Sequence, residues 1–238
     1  MRFEKLVTDE PAVAALALVS ATIVAAVAER GRAVLALGGG SSPLPLFHLL
    51  AAADLPWERV WVTFGDERFV ALDHEHSNAG SAMQHLLSKV AVPRSQVLTW
   101  PILTDPAESA QEYRRQVERA LGAFPTFDLN LLGLGADGHT ASLFPGTGAA
   151  LLAGPTLAVR APEYAAPGGW RLSMSATALS DSREVLFLVT GTGKADALRL
   201  TFGAEALRAE RSDAALDAHP ARAIAARERL TLITDVQF

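Results

Sequence analysis

The stretch Phe127–Gly146, FDLNLLGLGADGHTASLFPG, holds the best candidate for proton chemistry in the chain. His139 stands in it two residues after Asp137, among Gly133, Gly135 and Gly138. An imidazole, with an unperturbed pKa of about 6.5, takes and returns a proton near neutral pH. Asp128–Leu134, just ahead, is an apolar run with no polar alternation beyond Asn130, as expected of a strand buried on both faces. A histidine in a glycine-rich loop at the carboxyl end of such a strand is where an α/β protein places a general base. A lone histidine is more often an ordinary loop or core residue than a catalyst. Here Thr140 and Ser142 add hydroxyls, and the glycines leave backbone N–H groups open to a ligand.

Two other loops suit an anion. Gly38-Gly39-Gly40-Ser41-Ser42-Pro43 links an apolar strand, Ala33–Leu37, to a helix over Leu44–Ala53. The pattern predicts Ser42 as N-cap and Pro43 in the first helical position. A glycine turn feeding a helix presents free N–H groups and the positive end of the helix dipole, a fit for phosphate or carboxylate. A plain tight turn needs fewer glycines. No Gly-Lys-Ser/Thr closes this loop, so it is not a Walker loop, and Ser41 lacks the second glycine of a nucleophile elbow. Gly191-Thr192-Gly193-Lys194 lies between a strand, Glu184–Thr190, and a helix, Ala195–Leu207. Lys194 adds a full charge to the same arrangement.

A third strand, Val60–Phe64, ends in Gly65-Asp66-Glu67-Arg68. These charges read either as a grip on a polar substrate or as a solvated loop with an internal ion pair. Asp73-His74-Glu75-His76 offers four donors, but adjacent residues seldom converge on one ion, so metal is disfavoured. Gly133-Leu134-Gly135-Ala136-Asp137-Gly138 matches a dinucleotide fingerprint in letters only. Pro145 comes too soon for the helix that should follow, and no acidic residue lies about twenty positions on.

The elements that must hold these loops alternate as strand, loop and helix along 238 residues, read as one domain. Half the residues are apolar and 20% are charged, a globular balance. The net charge of −5, without a Lys/Arg cluster, disfavours nucleic acid. The absence of cysteine excludes disulfides, thiolate metal sites and a Cys nucleophile. Pro11–Ala28 carries no charge, yet eight of its residues are alanine, and Asp9-Glu10-Pro11 opens it as a helix. It reads as a buried helix of a soluble, cytoplasmic protein rather than a membrane span or signal peptide. Further helices are expected from Ser77 or Asn78 to Lys89, from Asp105-Pro106 to Leu121, at Ala178–Asp181 and over Pro220–Ala226. Further strands are expected at Val97–Trp100 on an edge, Thr156–Arg160, Arg171–Ser175 and Leu230–Thr234. Ala161–Gly169, rich in Pro and Gly, reads as a mobile loop able to act as a lid. The order predicts a doubly wound, mostly parallel sheet with helices on both faces, Rossmann-like and three-layered, with ligand loops at the strand carboxyl ends.

Taken together, ALGGGSSP at 36–43, FGDERFV at 64–70, HSN at 76–78, the segment 127–146, WRLSMS at 170–175 and FLVTGTGKA at 187–195 give the chain a resemblance. It resembles the 6-phosphogluconolactonases, within the superfamily that includes glucosamine-6-phosphate deaminase. GADGHTASLFPG is the most specific of these motifs; Ser42 stands where the family usually has Thr. The resemblance implies hydrolysis of 6-phospho-D-glucono-1,5-lactone to 6-phosphogluconate, a step of the pentose phosphate pathway, with neither metal nor organic cofactor. It implies His139 as general base and Asp137 as the group that orients or charge-balances it. It assigns the phosphate to Arg171, Lys194 and the Gly39-Gly40-Ser41-Ser42 backbone, and the sugar to Asp66 and Arg68. The expected partner is a small phosphorylated sugar lactone, with no nucleic acid or membrane, in a monomer or weak homodimer. The deaminase branch carries a glutamate five residues past the histidine, where this chain has Phe144. A sugar-phosphate sensor of the same fold is usually fused to a DNA-binding helix-turn-helix segment, which is not expected here because the N-terminus reads as starting directly with the domain helix.

Overall fold

The computed structural model of the chain describes residues 2–238. Its first half runs β1 (Arg2–Val7), α1 (Pro11–Arg30), β2 (Ala33–Leu37), α2 (Leu44–Ala51), β3 (Val60–Phe64), β4 (Asp66–Arg68), α3 (Asn78–Ala82) and α4 (Pro106–Leu121). The second half runs β5 (Phe127–Leu132), β6 (Thr156–Arg160), β7 (Trp170–Met174), α5 (Ala176–Ser180), β8 (Ser182–Val189), α6 (Ala195–Phe202), α7 (Ala204–Arg208), α8 (Asp213–Ala218) and β9 (Arg229–Thr234). Six strands form one sheet in the order β1-β9-β8-β5-β2-β3, with every neighbouring pair parallel. Strands covered on both faces need apolar side chains on both, which is why AVLAL of β2 is buried at every position. From β2 the chain steps outward to β3, whereas β5, β8 and β9 follow one another in the opposite direction. The switch between β2 and β5 leaves a crevice at their carboxyl ends, the usual ligand position in such sheets.

A second sheet, β4-β7-β6, is antiparallel and was not expected as a separate unit. β4 is only three residues long, too short to show a period in the sequence. β1 was not anticipated either: RFEKLV lies on the sheet edge beside β9 and is largely open to solvent, so it lacks an apolar run. The predicted edge strand Val97–Trp100 reduces to a single bridge between Val97 and Val62. The helix expected to reach Lys89 changes to a π turn over Met83–Leu87, and Ser77 is its cap, accepting from the Gly80 N–H. The helix expected over Ala195–Leu207 breaks at Gly203, which is extended (φ −65°, ψ 156°). Pro220–Ala223 is a 3-10 turn shorter than predicted.

α1 is long and apolar enough to cross a membrane by length and composition, with a mean hydropathy of 2.2. In the fold it contacts β2, β5, β8 and β9 through one face, burying Ala15, Val19, Ile23 and Ala26 in the core. The expectation of a buried helix is therefore met on one side only, because Val13 and Val24 stand outward, 49% and 53% exposed. At its end Arg30 pairs with Asp128 of β5 (2.9 Å). The other Asp128 oxygen accepts from the Val34 N–H (2.7 Å), so this buried carboxylate ties α1, β2 and β5 together. α4 is capped as predicted, the Asp105 side chain accepting from the Ala107 and Glu108 N–H groups. Its Tyr113 stacks on Trp100 beneath β3.

Candidate active site

Four adjacent strands, β3, β2, β5 and β8, send their carboxyl-terminal loops into the crevice. The loop after β5 is folded on itself. Gly135 N–H donates to the His139 carbonyl (2.8 Å), Gly138 N–H to the Gly135 carbonyl (3.0 Å), and Thr140 Oγ1 to the Gly133 carbonyl (2.8 Å). No α-helix follows before β6, so the dinucleotide-like letters lack the helix N-terminus that would receive a pyrophosphate. Ala141 in this loop, at φ 48°, is the one non-glycine residue with positive φ among the described residues.

The loop brings Asp137 and His139 together. Asp137 Oδ1 lies 2.5 Å from His139 Nδ1 and also accepts the His139 N–H (3.1 Å). Gly135 makes the approach possible, since a Cβ there would strike both side chains. Partial burial works against the Asp137 charge, but the hydrogen bonds and charge of His139, with the hydroxyl of Tyr164, outweigh it. They hold the carboxyl well below its usual range. Asp137 therefore fixes the imidazole through Nδ1 and leaves Nε2 for other partners. Phe144, five residues on, is buried with its ring 4.9 Å from the imidazole.

Two cavities meet at His139. One, of about 200 Å3, runs from Gly38–Ser42 past Gly133–Gly135 to Thr190 and Lys194. The other, of about 320 Å3, is bounded by Asp137, Phe144, Tyr164 and Arg171. Asp66, Arg68, His139 and Ala141 line both. Eight of the ten predicted site residues line the first cavity, and Asp137 stands on the second beside its histidine partner. Arg171 lines the second cavity, not the one that holds Lys194. Among the described residues, Arg68, Arg171 and Lys194 form no ion pair. Arg171 is buried, yet it donates only one long bond, to the Trp170 carbonyl (3.4 Å). Burial, then the like charge of Arg68, weakens its hold on its proton, while Asp66 and Glu67 counter this. A larger cavity of about 660 Å3, lined by Leu72, Met83, Leu87 and Val92 with Asp73 and Arg94, shares no residue with these two.

Several side chains expected to face ligand are braces. Ser42 is not the N-cap of α2, whose cap position is Pro43; its hydroxyl meets Thr190 Oγ1 (2.9 Å) across the first cavity. Ser142 Oγ donates to Asp66 Oδ2 (2.6 Å), and Asn78 Nδ2 donates to Asp66 Oδ1 (3.1 Å). Asp66 thus lines both cavities with each oxygen already engaged. The reading of 65–68 as a solvated loop with an ion pair fails. Glu67 is 3% exposed and accepts from the N–H groups of Arg68, Asn78 and Ala79 and from Ser77 Oγ. Burial raises its carboxyl above the usual range despite these donors. Arg68 Nη1 is held by the His76 carbonyl (2.6 Å). His74 and His76 sit on an exposed loop and join neither cavity.

Sequence reasoning missed Asn78, Thr190 and Tyr164 as wall residues. The letters HSN mark the first; for Tyr164 the only signal was a loop able to act as a lid. Asn78 Oδ1 is buried without a partner and lies where a side chain on Gly39 would be, so Gly39 must be glycine.

The family model described as glucosamine-6-phosphate isomerases/6-phosphogluconolactonase matches residues 8–233. The chain belongs to this family. A 6-phosphogluconolactonase from Synechocystis sp. is 42% identical over 197 residues, covering 81% of this chain and 80% of that protein. One from Nostoc sp. is 37% identical over 186 residues, covering 76% of each. The crystal structure of 6-phosphogluconolactonase from Thermotoga maritima aligns with a TM-score of 0.85 at 24% identity, over 98% of this chain and 99% of that one. At that identity the likeness speaks to the fold: a mostly parallel sheet with helices, shared by the family.

Proposed function

We propose that this member of the family hydrolyses 6-phospho-D-glucono-1,5-lactone to 6-phosphogluconate, with His139 as general base and without a metal ion. The observation that carries the reading is His139, held by Asp137, on a wall shared by two cavities, one of which ends in an unpaired lysine. The phosphate sits against Lys194 and the N–H groups of Gly39–Ser42, where a helix begins. Arg171 adds its charge from the adjoining cavity. Asp66 and Arg68, on the shared wall, border the sugar ring. Anchoring the remote phosphate spends non-reacting binding energy on orientation, placing C1 beside the imidazole. With Nδ1 engaged by Asp137, Nε2 accepts a proton from water as the oxygen attacks the lactone carbonyl. The imidazolium then returns that proton to the ring oxygen as the C1–O bond breaks, giving the free acid and a hydroxyl.

Phe144 speaks against amino-sugar deamination. The fold serves both branches, so the decision rests on the site, and the position of the deaminase carboxylate holds a buried apolar ring against His139. We place the enzyme in the cytoplasm on the same reading. A coupled assay on freshly made phosphogluconolactone, with spontaneous hydrolysis as blank, tests it against glucosamine 6-phosphate. Turnover of the lactone alone, unchanged by chelator, is expected. Turnover of the amino sugar, or loss of activity with chelator, would overturn the reading.

A further inference from the structure

Asp137 has a second partner that the reaction as described does not use. Its Oδ1 serves His139, and its Oδ2 accepts the phenolic hydroxyl of Tyr164 at 2.9 Å. Tyr164 belongs to Ala161–Gly169, the connection between the antiparallel strands β6 and β7. The base of that hairpin is closed by the Ala161 N–H on the Gly169 carbonyl (2.8 Å), and a turn from Ala165 N–H to the Pro162 carbonyl (2.9 Å) shapes its tip. The ring is 66% exposed, so burial of the side chain is not what holds it there. What it does hold is the outer oxygen of the carboxylate that orients the base. The same hairpin leads directly into Arg171, and Tyr164, Ala165, Ala166 and Arg171 all line the second cavity. The other charged groups facing this pair are Asp66 and Arg68 on the shared wall, with Lys194 at the far end of the first cavity.

We propose that Tyr164 is a positioning residue for the hydrolysis, the outer member of a Tyr164–Asp137–His139 chain that is complete only when the 161–169 hairpin is seated. The proposal rests on the assignment of His139 as general base. A carboxylate on a two-residue turn from its histidine has freedom to rotate about χ2. A donor on its far oxygen removes that freedom and keeps Oδ1 on Nδ1. The donor also draws charge from the carboxylate, which tempers its hold on the protonated ring and so eases return of the proton. Arg171 is already fixed in β7 between Arg68 of β4 and Val159 of β6, so seating of the hairpin adds the Tyr164 donor alone.

The test is steady-state hydrolysis of phosphogluconolactone across pH by the wild type, Y164F, D137N, the Y164F/D137N double variant and H139N. Y164F keeps the ring and loses only the donor. Its kcat is expected to fall about three- to tenfold, the worth of one ordinary solvent-exposed hydrogen bond, with KM changed less than about twofold. The acid limb of its pH profile should move to higher pH, because the undispersed carboxylate holds the imidazolium more tightly. Adding Y164F to D137N should cost nothing further, since the residue acts through that carboxylate. Wild-type kcat and pH profile in Y164F, a rise in KM alone, or an undiminished loss in the D137N background would each overturn the proposal. H139N separates the two levels. If H139N retains turnover, the assignment of the base falls; if H139N is silent while Y164F matches the wild type, the positioning role alone falls.

Discussion

At Gly135 a single methyl group would meet the side chains of Asp137 and His139. Its Cβ would strike both Asp137 and the His139 ring, the nearest atoms to it. Gly135→Ala is therefore expected to cut kcat by at least about a hundredfold, the scale seen when a reacting group is displaced by an ångström, and to cost only about 1 kcal/mol of stability. Paired measurements of turnover and of the thermal midpoint check this; equal loss of both would mean that the glycine serves the fold instead. Asp137 is held below the ordinary carboxylate range, so its charge persists as pH falls past the usual value of 3.8. Protonation of Asp137 should accordingly take no part in the acid limb of activity near that value. The spacing of Asp137 and His139 made this pair legible in the sequence. Tyr164 was not, because its partner lies 27 residues away and only the hairpin brings them together.

Among the elements, β4 shows how a stretch of charges becomes structure. Glu67 gathers four donors from β4 and the start of α3, with Ser77 Oγ itself accepting the Gly80 N–H. Glu67→Gln would turn an amide nitrogen toward two of those donors, for an expected loss of about 2 kcal/mol at neutral pH. Because burial raises Glu67, the native state binds its proton more tightly than the unfolded chain. That contribution is present in full below the ordinary glutamate value of 4.5 and fades as pH rises through the raised value. Urea titrations should show the gap between wild type and E67Q narrowing from about pH 4.5 upward; a gap that widens would contradict this assignment. The apolar strands β2, β3, β5 and β8 were readable because parallel strands buried on both faces need such runs. The buried partners of Glu67, Asp128 and Ser42 were not. Their hydrogen bonds reach as far as 94 and 148 residues along the chain, beyond any local period.

For the molecule as a whole, the order of the sheet decides where the chemistry stands. The turn of direction between β2 and β5 sets the glycine-rich loop beside the His139 loop, β3 delivers Asp66 and Arg68 on one side, and β8 delivers Lys194 on the other. The parallel sheet was legible from alternation of apolar runs and helices. The small antiparallel sheet that carries Arg171 and hangs Tyr164 over the site was not, since its strands are short and one of them is made of charges. The account requires binding and turnover to be separable across the shared wall. The most direct measurement is phosphogluconolactone hydrolysis by His139→Asn, above the spontaneous rate, on protein shown by titration to bind 6-phosphogluconate. The account predicts affinity within about threefold of the wild type and turnover reduced at least about a thousandfold. Full turnover by that variant would contradict it.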